Sequence, residues 1–138
     1  MNTEYTIHKA GGILIRDGKL LVERSKGKNV FIAPGGKVES GETVEQALIR
    51  ELKEEFSIEV VSSDIRPIEI FYAEAAGKPG QIIRMDVFFV DAWHGEIVPN
   101  SEVEEVLWVG KKLPDGVQLG SIFEHEVLPK LISQNLIN

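Results

Sequence analysis

Gly36-Lys37-Val38-Glu39-Ser40-Gly41-Glu42-Thr43 runs directly into Val44-Glu45-Gln46-Ala47-Leu48-Ile49-Arg50-Glu51-Leu52-Lys53-Glu54-Glu55-Phe56-Ser57-Ile58. The first part is a glycine-rich turn, and the second has the apolar spacing of a helix that should persist to about Phe56, N-capped by Ser40 or Thr43. On a wheel at roughly 100° per residue, Ala47, Glu51, Val44, Glu55, Leu48, Leu52 and Phe56 share one arc. Two carboxylates therefore fall inside the apolar face. Glu54 lies just outside it, and Arg50 stands four residues before Glu54, in range for an ion pair. Glu45 also projects into the arc, but from the first turn, where the helix dipole favours an acid.

Stacking Glu51 and Glu55 one turn apart brings like charges together, and partial burial raises the cost. A hard cation with oxygen ligands relieves both effects. Mg²⁺ takes one or two carboxylates, keeps several waters and completes its shell with phosphate oxygens. The same glutamates also suit a solvated helix face supported by Arg50 and Lys53. The preceding Gly35-Gly36 tips the reading toward a ligand, because glycine permits close backbone approach and frees a carbonyl or amide to point inward.

Outward from this stretch, Thr6–Arg16 reads as a strand, Asp17-Gly18 as a hairpin turn and Lys19–Glu23 as the returning strand. Ser25–Asn29 is a loop, Val30–Ala33 a short apolar segment, and Pro34-Gly35-Gly36 should end any regular element. Beyond the helix, Ile58–Val61 and Ile68–Tyr72 are strand material interrupted at Arg66-Pro67. Residues 76–80 form a turn, and Ile82–Val90 should pair with Ile68–Tyr72. Pro99–Glu105 is an acidic loop leading into Val106–Val109. A last helical pattern covers Leu119 to about Leu136, with Pro129 inside it to kink or split it. Strands, helix, more strands and a final helix describe one α/β unit.

The 138 residues, 43% of them apolar, suit one domain spanning residues 1–138 with a single core. With no cysteine, thiolate chemistry and disulfides are excluded. Met1-Asn2-Thr3-Glu4-Tyr5 lacks the features of a signal peptide, and no apolar run approaches the roughly 18 residues of a membrane span, so a soluble cytoplasmic protein is expected. The net charge of -7 disfavours nucleic acid and anionic membranes as partners. It allows a small phosphate ligand, provided that a divalent cation neutralises the repulsion locally.

Gly36, then Glu42, then Arg50-Glu51-Leu52-Lys53-Glu54-Glu55-Phe56-Ser57-Ile58 resembles the Nudix box of the Nudix hydrolases, and the residues around Glu39–Thr43 resemble MutT-like members. The resemblance covers 23 residues and departs at one defining position, Ser57, where the family has glycine. It implies an α/β/α sandwich with a mixed central sheet. It also implies hydrolysis of a nucleoside diphosphate linked to another moiety, with Mg²⁺ as cofactor and Mn²⁺ as its substitute. By the same resemblance Glu51, Glu54, Glu55 and the Gly35 carbonyl would hold the metal. Arg50 would orient a glutamate, and Glu42 would support the set or pair with Arg50. The general base would be Glu54 or Glu55 within the box, or Glu102 or Glu105 in the later acidic loop, where Glu104 is a further candidate. Arg24, Lys37 and Arg84 are candidates for phosphate contacts. Phe31, Tyr72, Phe88 and Trp93 offer stacking surfaces, although core packing is the better reading of each. The substrate is a small nucleotide or diphosphate, a nucleoside triphosphate first among them. A nucleotide-binding regulatory module without turnover stays open, as does a homodimer.

Overall fold

Thr43 caps the first helix, α1 (Val44–Phe56), through a capping box. Its hydroxyl accepts from the Gln46 N–H at 3.1 Å, and the Gln46 side chain accepts from the Thr43 N–H at 2.8 Å. Of the two predicted caps, Thr43 is the one used. The computed structural model describes residues 4–75 and 77–138. Ala47, Leu48, Leu52 and Phe56 are buried on α1, with Glu51 and Glu55 half-buried at the margin of that face. Burying each leucine or phenylalanine contributes roughly 1.5–3 kcal/mol, which anchors the helix despite the two acids.

The described strands form two sheets. β1 (Ile7–Ile13), β4 (Gly35–Lys37), β5 (Ile65–Glu74) and β6 (Ile82–Val90) make a mixed sheet in the order β4-β1-β6-β5, with β1 parallel to β6. β2 (Ile15–Arg16), β3 (Lys19–Ser25) and β7 (Val103–Val109) make an antiparallel sheet in the order β2-β3-β7. The expected strand over Thr6–Arg16 is thus divided between sheets at Leu14, which is fully buried. The expected turn is present, with Asp17 and Gly18 at φ 52° and 73°, the conformation whose twist matches the flanking strands. It joins only β2 to β3.

Pro34-Gly35-Gly36 does not end regular structure, because Gly35–Lys37 is itself a strand paired with β1. The pairing depends on glycine: Gly35 has φ 135°, and a Cβ there would collide with the Ala10 carbonyl oxygen. Ile58–Val61 is reduced to a single bridge between Glu59 and His94. Pro67 lies within β5, where a register shift on this edge strand absorbs its missing donor. Ile68–Tyr72 does pair with β6. Val103–Glu105 belongs to β7 and not to the preceding loop. Gly77 and Gly80 take positive φ as a turn requires, while residue 76 of that predicted turn lies outside the described residues, as do residues 1–3 of the N-terminal stretch.

The C-terminal helix runs without a break over residues 121–133. Ahead of Pro129 it widens into a π turn, Phe123–Val127, in which the Leu128 N–H reaches the Phe123 carbonyl, and it continues as α2 (Leu128–Ser133). Proline has no N–H to donate and crowds the carbonyl four residues back, and the wider turn accommodates this without splitting the helix.

Alternation along β3 shows where the cores sit. Leu20 and Val22 join Phe123, Val127, Leu128 and Leu131 in one apolar cluster, whereas Leu21 joins Leu48, Leu52 and Phe56 in the other. The sheets are therefore sandwiched between α1 and the C-terminal helix, and a side chain at position 23 falls on the α1 side.

Candidate active site

β4 brings a nearly bare backbone against the acidic margin of α1. The Gly35 N–H donates to Glu55 Oε1 at 3.0 Å. A Cβ on Gly36 would lie only 2.5 Å from Glu51 Cδ, so the missing side chain is the space that the Glu51 carboxylate fills. These two contacts are why both glycines precede this helix.

Arg50 organises the next layer. Its Nε and Nη2 grip both Glu42 oxygens at 3.0 and 2.7 Å, and Nη2 also donates to the Lys37 carbonyl at 3.1 Å. Nη1 holds Glu51 Oε1 at 2.8 Å and reaches Glu54 Oε2 at 3.4 Å. Bidentate contact with Arg50 and the Glu39 N–H hold the Glu42 carboxyl down at about 2, and Glu42 first and then Glu51 raise Arg50. Burial pushes Glu51 upward, opposed by Arg50.

Sequence reasoning missed one acid. Glu23, on β3, is 1% exposed, its carboxyl group meets that of Glu55, and its Oε2 has no hydrogen-bond partner. Burial first, and then the neighbouring Glu55, drives Glu23 strongly upward; burial likewise raises Glu55, opposed by its bonds to Glu23 and the Gly35 amide. The signal was period-two alternation: once Leu21 faces α1, Glu23 must as well. Lys9 was also missed. Its amine feels both Glu23 and Glu55, and burial followed by the nearby Lys37 lowers its pKa.

Glycine-backed carboxylates on a capped helix are what the quoted stretch promised, and the likeness extends well beyond it. Residues 6–120 match the NUDIX domain. This chain belongs to the Nudix family. It is 36% identical over 117 residues to an 8-oxo-dGTP diphosphatase of Haemophilus influenzae, covering 81% of this chain and 82% of that one. It is 35% identical over 98 residues to an ADP-ribose pyrophosphatase of Methanocaldococcus jannaschii, covering 68% and 56%. The chain thus spans 56% of the archaeal protein's length, and 61% of that of a Bacillus subtilis relative at 30% identity. The crystal structure of a MutT NUDIX hydrolase from Burkholderia pseudomallei has the same fold, with a TM-score of 0.74 at 24% identity over 95% of this chain and 98% of that one.

The structure of this Nudix protein brings together the expected box acids and disperses the other expected site residues. Glu51, Glu54 and Glu55 gather around Arg50 and β4, and Lys37 is exposed on β4 opposite Lys9. Glu105 pairs with Arg24 at 3.2 Å; the pair faces the side of β3 that carries Val22, away from α1. Arg24 also donates to the Lys28 carbonyl and lies over the Phe31 ring, beside an open cleft of about 460 Å³. Glu104 is exposed on β7, and Glu102 is exposed in the turn before it. That turn is tied to the end of α1, where the Asn100 N–H donates to the Glu55 carbonyl at 2.8 Å. Arg84 is held by Asp86 at 2.9 Å, and Asp86 also binds His8. Phe31 and Phe88 are buried in the core, Tyr72 is exposed, and Trp93 packs under the Arg16 guanidinium.

Ser57, the departure from the box, takes the left-handed conformation that glycine would take (φ 59°, ψ 25°). Its hydroxyl accepts from Asn100 Nδ2 at 2.6 Å, which offsets the steric cost.

Among the described residues no three carboxylate or imidazole groups stand assembled to hold an ion as they are. Glu51 and Glu54 are instead turned to Arg50. The donor set nonetheless fits a hard divalent cation, since oxygen ligands crowd the margin of α1 and one buried carboxylate oxygen has no partner. No described helix is long and apolar enough to cross a membrane.

Proposed function

We propose that this chain is a single Nudix domain that hydrolyses the diphosphate linkage of a nucleoside diphosphate joined to another moiety. A nucleoside triphosphate cleaved to monophosphate and pyrophosphate is the first substrate. The observation that carries the reading is the pair Glu51 and Glu55, set into the apolar margin of α1 and packed against the side-chain-free backbone of Gly35 and Gly36. The names of the relatives, an 8-oxo-dGTP diphosphatase and an ADP-ribose pyrophosphatase, support a nucleotide diphosphate as the substrate class.

Mg²⁺, or Mn²⁺ in its place, is held by Glu51, Glu54, Glu55 and the Gly35 carbonyl. When bound, it supplies Lewis-acid charge that offsets the diphosphate. Arg50 keeps Glu51 in its rotamer, and Glu42 in turn fixes Arg50 through both oxygens. Glu54 is the first choice for the general base, because its carboxylate is 56% exposed and only loosely held by Arg50, so that one oxygen would serve the ion while the other takes a proton from a water facing the substrate. Glu102 is the second choice, since its turn is anchored to the end of α1. Glu105 has the weaker claim, being paired with Arg24 on the far face of the sheet. Lys37, beside Lys9, is the best placed of the expected phosphate-binding cations. Arg24 and Arg84 must first release Glu105 and Asp86.

The test is release of phosphate or pyrophosphate from a panel of nucleoside triphosphates, nucleotide sugars and dinucleotides, with Mg²⁺ and with chelator. Metal-dependent turnover of at least one compound is expected. Tight binding of one compound with no turnover of any would replace this reading with a regulatory module.

A further inference from the structure

Glu23 has no role in the fold that an aliphatic side chain would not fill better. It follows Leu21 on the α1 side of β3, and it is as buried as its leucine neighbours. A buried oxygen without a partner costs about 1–3 kcal/mol. No neighbouring guanidinium relieves it: Arg24 projects to the opposite face and is engaged by Glu105 and the Lys28 carbonyl, while Arg50 is occupied by Glu42, Glu51 and the Lys37 carbonyl. Lys9 offsets part of the local charge, but its amine makes no hydrogen bond to Glu23 in this structure. Its acidic neighbour is Glu55, whose carboxyl group bonds with that of Glu23 and which also feels Glu51 along the helix.

We propose that Glu23 is a further ligand of the divalent cation, sharing the ion with Glu55 through the Oε2 atom that the fold leaves unpartnered. The inference rests on the metal-dependent reading of this site and adds to it a ligand from outside the quoted stretch, delivered by the three-stranded sheet. A strand-borne carboxylate is held more rigidly than one on a long exposed side chain. It would therefore add a rigidly held ligand to the helix acids, and the ion would give the buried oxygen the partner it lacks.

Mn²⁺ alone is the probe, titrated into the full chain and followed by electron paramagnetic resonance, with circular dichroism to confirm folding. Glu23→Gln should weaken Mn²⁺ binding by 10- to 100-fold and reduce the rise in melting temperature that Mn²⁺ gives the parent. Glu23→Leu, an apolar side chain in apolar surroundings, should do the same, and it keeps the test intact if the glutamine variant fails to fold. A folded variant that binds Mn²⁺ as tightly as the parent, while the parent binds and turns over substrate, overturns this inference and leaves the proposed function standing. A parent chain that binds no Mn²⁺ overturns both.

Discussion

Gly36→Ala separates the site from the fold more cleanly than any change to an acid. An alanine Cβ would sit 2.5 Å from Glu51 Cδ and 2.7 and 2.8 Å from its oxygens. Carbon atoms in contact prefer about 3.5–4.0 Å, so the carboxylate must withdraw by about 1 Å and loosen its 2.8 Å bond to Arg50. Gly36 has no positive φ. Replacing it therefore returns the roughly 0.5–1 kcal/mol that glycine forfeits within a strand, while a weakened, partly exposed ion pair subtracts up to about 1 kcal/mol. The two changes nearly cancel, and the melting temperature should move by only a few degrees. Catalysis should respond very differently, because a misplacement of about 1 Å at a reacting centre costs on the order of a hundredfold. The assay pairs thermal unfolding with kcat/KM on the best substrate of the panel at saturating Mg²⁺. A folded Gly36→Ala protein with parental kcat/KM would refute the claim that Glu51 is held by the absence of that Cβ.

Gly35→Ala should be destabilising instead, by about 3 kcal/mol, because the new Cβ strikes the Ala10 carbonyl within the β1–β4 pairing; chemical denaturation measures the loss. The Glu42 carboxyl is held down at about 2 in the fold and rises to the ordinary 4.5 when unfolded, so its contribution is present above pH 4.5 and disappears as pH falls toward 2. Glu42→Gln should flatten the acid limb of stability against pH between 5 and 2, and an unchanged limb would count against the Arg50–Glu42 contact. At Ser57, glycine would recover about 1 kcal/mol of left-handed strain but lose the Asn100 bond, worth about 0.5–1.5 kcal/mol. Ser57→Gly should therefore unfold within about 1 kcal/mol of the parent. Ser57→Val, β-branched and without a hydroxyl, should lose about 2 kcal/mol, and equal stability of the two variants would contradict the cap geometry.

The helix and its acids were largely legible because local periodicity is enough to place them: one wheel over thirteen residues set Glu51 and Glu55 inside the apolar face, and the structure has them half-buried at its margin, where a charged group keeps some contact with solvent. Position 23 was not legible. Glutamate at the end of Lys19–Glu23 reads as the polar tail of a strand until one knows that both faces of that strand are covered. The same limit explains β4, since Pro-Gly-Gly has the chemistry of a stop and becomes a strand only because β1 supplies a partner that tolerates no side chain. Glu105 reads as a loop acid because its neighbours are acidic, yet its pairing to Arg24 depends on the register between β3 and β7, two strands far apart in sequence. Pro129 announced a disturbance, but whether it became a kink, a break or a π turn was decided by the burial of Phe123, Val127, Leu128 and Leu131 on one continuous helix.

The passage of the chain from one sheet to the other at Leu14 has a kinetic consequence. Gly35 belongs to the four-stranded sheet, Glu23 to the three-stranded sheet, and the box acids to the helix packed across both. A partly folded chain with only one sheet formed presents no complete set of oxygens. A cation held as proposed by Gly35, Glu23 and the box acids would therefore favour the docked state alone, and mass action would make it a brake on undocking. Mg²⁺ should slow the unfolding rate while leaving the refolding rate nearly unchanged, the pattern of an interaction absent from the folding transition state.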